Sequence, residues 1–251
     1  MVKYVGIVNI TPDSFSDGGE FFAAESAIRH ARELVAAGAD IVDLGAQSTR
    51  PNATLLSADE EWQRLEPVLA GLKGADMTVS IDTFYPSVIT RALDYFPDLI
   101  INDVTTVHDP AMRRLIAESN LRVFLSHLPF SVEGDIQAAH QLEPLIDDVK
   151  VVKDELLARR DELIQLGAQP EQIILDPGIG FGKTMRLNAE LVEFAREVPS
   201  IPVLIGASRK RFIERYLHQD RFDPTVTATL EEKAIKAGAA YLRTHVIPKR
   251  I

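Results

Sequence analysis

Asn9, Asp43, Asp82, Asn102 with Asp103, His127, Asp176, Ser208 with Lys210, and Arg243 with His245 all stand where a short apolar run stops. Any one of them could be innocent, since carboxylates cap helices and Asp176-Pro177-Gly178 is a turn signal. Together they fall into two chemical sets. Asp82, Asn102 and Asp176 offer acceptors and an amide, which suit a flat heterocycle rich in N–H donors. Arg50, Lys210, Arg243 and His245 offer cationic donors, which suit phosphate or pyrophosphate. Asn9 could ligate Mg²⁺ through its side-chain oxygen. The densest segment is GIVNITPDSFSDGG over 6–19, where Asp13 and Asp17 flank Phe15 and Gly18-Gly19 closes the loop. Its plainer reading is a strand and a helix start capped by Thr11, Asp13 or Ser14.

The runs that carry these groups are YVGIVN (4–9), IVDLGA (41–46), TVSIDT (78–83), LIINDV (99–104), RVFLSH (122–127), QIILDP (172–177), PVLIGAS (202–208) and YLRTH (241–245). Most are continuously apolar, as parallel strands covered on both faces are. Helical patterns lie between them. Ile28, Ala31 and Val35 share a face in 21–37; in 57–73 Ser57 and Glu60 form a capping box ahead of a Trp62, Leu65, Leu69, Leu72 stripe, with Pro67 expected to kink the helix. Gly38-Ala39, Gly167-Ala168 and Gly238-Ala239 read as helix stops. Eight such units in one domain, 1–251, predict an α/β chain folded as a (β/α)₈ TIM barrel, whose strand C-termini meet at one face. That geometry would gather the polar groups into one pocket, where a polar ligand would satisfy them. Only VIPKRI follows the last strand, so the eighth helix is expected to be missing or truncated.

Composition narrows the chemistry. The chain has 251 residues, 46% hydrophobic and 25% charged, and no Cys, which excludes disulfides, thiolate metal sites and cysteine nucleophiles. A net charge of −10 argues against nucleic acid as a main partner and leaves room for a small anion held by a local cationic cluster. No apolar run is long enough for a signal peptide or a membrane span, so a cytoplasmic location is expected. GIGFGKT (178–184) resembles a phosphate-binding loop, but the position five before Gly182 is Pro177, which breaks the pattern. His127 and His245 are the only strand-end histidines and no HxxxH spacing occurs, which argues against zinc.

The ordered segments NITPDSFSDGG (9–19), ADIVDLGAQSTRP (39–51), SIDT (80–83), IND (101–103), LDPGIGFGK (175–183), SRK (208–210) and RTH (243–245) resemble the dihydropteroate synthase family over nearly the whole chain. The resemblance implies condensation of 6-hydroxymethyl-7,8-dihydropterin pyrophosphate with 4-aminobenzoate, releasing pyrophosphate. It implies that Asp82, Asn102, Asp176, Phe181 and Lys210 bind the pterin, and that Asn9, Arg50, Arg243 and His245 hold pyrophosphate with Mg²⁺ as cofactor on Asn9. Phe15, Thr49, Pro51, Ser208 and Arg211 would line the 4-aminobenzoate pocket, with Asp13 and Asp17 in a closing loop. It further implies a sulfonamide target, and leaves a homodimer open, since family dimers pair through C-terminal helices. The chain departs from the family pattern at Gly45-Ala46-Gln47, Ser126-His127-Leu128 and Arg211. Two alternatives share the pterin acids: a pterin-barrel methyltransferase and a pterin-binding paralogue without turnover. The first has no evident use for the Arg50, Lys210, Arg243 and His245 cluster.

Overall fold

In the computed structural model the described residues are 1–10 and 19–248, with side chains described from Ala23 onward in the second segment. Eight parallel strands follow one another around a single sheet: β1 (Lys3–Asn9), β2 (Ile41–Gly45), β3 (Val79–Asp82), β4 (Ile100–Asp103), β5 (Arg122–Ser126), β6 (Ile173–Asp176), β7 (Leu204–Ile205) and β8 (Tyr241–Thr244). The hydrogen-bonded order is β6-β5-β4-β3-β2-β1-β8-β7. A parallel bridge between Leu175 and Val203, with Leu175 N–H donating to the Pro202 carbonyl at 2.9 Å, joins β6 to β7 and closes the barrel. The strand pattern is therefore met at all eight positions. β7 is shorter than its 202–208 run, because the chain bends away after Ile205.

Period-two geometry explains what fills the barrel. Val5, Ile41, Ile100, Phe124, Ile174 and Leu204 pack against one another, with Tyr241 against them. Two residues further along the same strands or just past them stand the polar Asp43, Asn102, Ser126, Asp176 and Arg243, with Ile7 and Gly206 at the corresponding places in β1 and after β7. The barrel is thus plugged with apolar side chains below and polar ones above. The alternate positions, among them Val42, Leu44, Ile81, Ile101, Leu125, Leu175 and Leu242, point outward into the larger core beneath the helices.

Those helices are α1 (Gly19–Ala36), α2 (Ala58–Leu72), α3 (Pro86–Ala92), α4 (Pro110–Glu118), α5 (Ile136–His140), α6 (Val149–Gln165), α7 (Met185–Glu190), α8 (Phe212–Arg215) and α9 (Pro224–Ala237). The Ser57 and Glu60 capping box forms as the sequence predicts. Pro67 does not end α2; it lies on the exposed side, where the carbonyl it leaves unbonded can be hydrated. The three helix-stop glycines all have positive φ, 101° at Gly38, 120° at Gly167 and 103° at Gly238. Among the described residues no helix follows β8. No described helix is long and apolar enough to cross a membrane.

Candidate active site

Asp176 ends β6 and is almost wholly buried. Its Oδ1 accepts from Gly178 N–H at 2.8 Å, and its Oδ2 accepts from Ser126 Oγ and from Arg243 Nη2, each at 2.9 Å. The register places Ser126 directly opposite Asp176 on the neighbouring strand. Gly178 can turn the chain here because its φ is 64°; a Cβ at that position would lie 2.0 Å from the His127 carbonyl oxygen. Arg243 also donates from Nη1 to Asn102 Oδ1 at 3.2 Å. Asn102 is held in turn, its Nδ2 donating to Asp43 Oδ2 at 3.0 Å while Ser80 Oγ donates to Asp43 Oδ1 at 2.6 Å. Gly206 leaves room for the guanidinium, since a Cβ there would meet Arg243 Nε and Nη2 at 3.3 Å.

The electrostatics follow from burial. Asp82 is half-buried, and burial followed by the neighbouring Asp43 carboxylate pushes its carboxyl up to about 8. Asp43 is raised for the same first reason, although Arg243, Ser80 and Asn102 oppose the shift. Lys210 is lowered to about 8, by burial first and by Arg243 second, with Asp176 and Asp82 acting against the shift. Its ammonium sits 5.4 Å from the centroid of the buried Phe181 ring. Burial works against the charge on Arg243, yet Asp176, Asp43 and Asp82 hold it above its ordinary value.

His245 lies just past β8, its Nδ1 3.0 Å from Ser208 Oγ. Burial, then Arg209, Lys210 and Arg243, push it down to about 4. Asn9 is exposed at the end of β1, and Arg50 is exposed in the loop after β2. Thr49 and Arg211 are half-buried and Pro51 is exposed. Thr11, Asp13, Ser14, Phe15 and Asp17 lie outside the described residues.

The structure gathers Asp82, Asn102, Asp176, Phe181 and Lys210 at the upper end of the barrel, and Ser208, Arg243 and His245 beside them. It does not keep the two chemical sets apart. Arg243, expected with the anion set, has its guanidinium on Asp176 and Asn102, two members of the set expected to bind the ring. The physical reason is that a buried cation needs buried acceptors, and these are the nearest.

Several groups escaped the sequence reading. Asp43 was visible only as a strand end, and Ser80 and Ser126 are small hydroxyl residues whose inward parity alone marks them. Glu61 sits in the first turn of α2 and is buried, with burial pushing it up to about 7; its Oε2 accepts from Gln47 Nε2 at 3.2 Å. Gln47, one of the departures from the family pattern, thereby neutralises a buried contact that a second carboxylate would make repulsive. Lys183, from the phosphate-loop look-alike, is buried and donates to the carbonyls of Gly178 at 3.0 Å, Phe181 at 2.9 Å and His127 at 3.4 Å. It ties the 178–183 loop rather than facing a phosphate. His127 is likewise a strut: its Nε2 lies 3.0 Å from Glu155 Oε2, and burial followed by Lys183 pushes it down to about 4. No group of three His, Cys, Asp or Glu among the described residues could hold a metal.

Asp176, Asn102 and Arg243 thus form one hydrogen-bonded network on the barrel rim. The family model described as "Pterin binding enzyme" matches residues 5–245. The chain belongs to this family. It is 38% identical to a dihydropteroate synthase of Neisseria meningitidis serogroup C over 253 residues, which cover 97% of this chain and 87% of that protein. It is also 38% identical to a probable bifunctional folylpolyglutamate synthase/dihydropteroate synthase of Haloferax volcanii; the match covers 98% of this chain and spans 29% of that longer protein. Among solved structures, the Xanthomonas albilineans dihydropteroate synthase with 4-aminobenzoic acid superposes with a TM-score of 0.84 at 35% identity, covering 98% of this chain and 88% of that one. The eight-stranded barrel and the pterin-enzyme family therefore stand together, as the sequence resemblance implied.

Proposed function

We propose that this barrel is a dihydropteroate synthase. Its upper face would join 6-hydroxymethyl-7,8-dihydropterin pyrophosphate to 4-aminobenzoate, giving 7,8-dihydropteroate and pyrophosphate. The observation that carries the reading is the buried Asp176, Asn102 and Arg243 network, set above an apolar plug and beside Lys210 and His245. It presents acceptors for a flat N–H-rich ring next to cationic donors for its leaving group.

The residues divide the work as follows. Asp176 and Asn102 accept from and orient the pterin ring, with Asp82 at its edge and Phe181 and Lys210 across from it. Arg243, His245 and Arg50 take the charge that develops on the departing pyrophosphate, an electrostatic contribution that needs no nucleophilic side chain. Asp176 also faces the pterin as its methylene becomes cation-like. In the free protein Arg243 rests on Asp176, so ring binding must move or share that guanidinium, which leaves it next to the leaving group.

Mg²⁺ fits Asn9 in donor chemistry. It takes hard oxygen ligands, often one or two from protein with the rest from phosphate and water, and Asn9 is exposed with no side-chain hydrogen bond among the described residues. Bound there, it would neutralise phosphate charge. Thr49, Pro51, Ser208 and Arg211 would form the aryl-amine subsite, with the loop carrying Asp13, Phe15 and Asp17 closing over it. Sulfonamide binding at that subsite, a cytoplasmic location and single-domain action of 1–251 belong to the same reading. The methyltransferase alternative gains nothing from the structure, because it gives the cationic cluster no role. Titrating the protein separately with 6-hydroxymethylpterin and with inorganic pyrophosphate tests the two-part pocket: each should bind, and failure of the pterin to bind would remove the reading.

A further inference from the structure

Helix α5 is only five residues long, and it joins two parts of the molecule. On one side Ile136 and Ala139 are buried with Val104, Leu128 and Phe181 in a small apolar cluster above the barrel. On the other side its polar residues seize the main chain of the loop after β2. Gln137 Nε2 donates to the Arg50 carbonyl at 3.0 Å, and Gln137 Oε1 accepts from Asn52 N–H at 2.9 Å. His140 donates from Nε2 to the Thr49 carbonyl at 2.8 Å, since a carbonyl can only accept. The same imidazole lies 5.7 Å from the Phe181 ring, over which the Lys210 ammonium sits.

The far end of the loop is pinned separately. Gln47 Oε1 accepts from Leu56 N–H at 2.7 Å, and Tyr85 Oη donates to the Leu56 carbonyl at 2.6 Å. Without α5, residues 49–52 would lose these three bonds, and only the turn bond from Ala53 N–H to the Arg50 carbonyl at 3.1 Å would hold Asn52 at its φ of 64°. Side chains 85 to 91 positions away thus fix the segment that carries Thr49, Arg50 and Pro51.

We propose that Gln137 and His140 are positioning residues for the 4-aminobenzoate subsite: they clamp the main chain of 49–52 onto α5 and so tie the second loop to the Phe181 wall of the pterin pocket. The inference rests on the dihydropteroate synthase reading and deepens it. Neither residue touches the reacting atoms. Their effect is to keep the loop in place before the aryl amine arrives, so that ordering it is not charged against binding.

The test uses the full chain, with the variants Gln137→Ala, His140→Ala, their combination, and Gln137→Glu. In Gln137→Ala, hydrogen exchange at the Asn52 amide should accelerate at least tenfold. The double variant should raise KM for 4-aminobenzoate about tenfold, the scale of one net hydrogen bond, with a smaller change in kcat. Its affinity for 6-hydroxymethylpterin should stay within twofold and its melting temperature should be unchanged. Gln137→Glu keeps the acceptor for Asn52 and loses the donor to Arg50, so it should fall between. An unchanged KM despite faster exchange overturns the inference. So does a loss of pterin affinity as large as the rise in KM, because α5 would then be supporting only Phe181. If the wild-type chain makes no dihydropteroate, the functional reading fails and takes the subsite role with it, whereas wild-type turnover with an unchanged KM in the double variant overturns the inference alone.

Discussion

Replacing Asp176 by Asn changes one atom in the most connected position of the site. Oδ1 can stay an acceptor for Gly178, which leaves the new amide nitrogen where Oδ2 accepted from Arg243 and Ser126. Ser126 can rotate its hydroxyl to accept instead; Arg243 cannot, because it has only donors. Removing one member of a buried ion pair costs about 3–5 kcal/mol. Arg243 keeps its bond to Asn102, and its side chain is 12% exposed, so partial relief brings the expected loss of folding stability to about 2–3 kcal/mol. Ring binding suffers separately. A donor now faces the ring's own N–H groups, a mismatch of about 1–3 kcal/mol, equivalent to roughly five- to 150-fold in affinity. Urea unfolding and calorimetry with 6-hydroxymethylpterin read the two losses independently. Lost stability with pterin affinity within twofold of wild type would show that the carboxylate serves Arg243 alone and that the ring lies elsewhere.

Arg243→Ala should weaken pyrophosphate binding and also change pterin affinity, because the guanidinium bridges both sets, whereas His245→Ala should affect pyrophosphate only; competition binding with each ligand separates them. Asp82 binds its proton more tightly folded than unfolded, so it makes wild-type stability fall as pH rises from about 4 through 8. In Asp82→Asn the urea midpoint should fall less over that interval, and a wild-type slope unchanged by the mutation would place the titration in other groups. Arg211→Ser should raise KM for 4-aminobenzoate severalfold and increase sulfonamide inhibition, through loss of a charge-assisted partner for the carboxylate; unchanged values for both return Arg211 to a solvent-facing role.

The barrel was legible because its two determinants are local. Continuous apolar runs mark strands covered on both faces, and the helix stops at Gly38, Gly167 and Gly238 mark where each helix must turn back. The site was legible at the same level: strand ends must converge once the barrel closes, so Asp82, Asn102 and Asp176 could be named from position alone. The details that stayed hidden depend on long-range pairing. Nothing local shows that Arg243 reaches Asp176, 67 positions earlier, or that Glu61 within a helix meets Gln47. Ser126 and Ser80 became visible only when strand parity put them on the inward face. Lys183 lies in the run whose phosphate-loop pattern Pro177 breaks, and its three carbonyl partners give it a structural role instead.

The central claim is a condensation, and product formation tests it most directly. The protein should be incubated with 6-hydroxymethyl-7,8-dihydropterin pyrophosphate, Mg²⁺ and 4-aminobenzoate, with pyrophosphate and 7,8-dihydropteroate measured together over time. The account predicts that the two appear in equal amounts, and that dihydropteroate forms only when both substrates are present. Pyrophosphate released without dihydropteroate, or pterin bound with neither product formed, would contradict it.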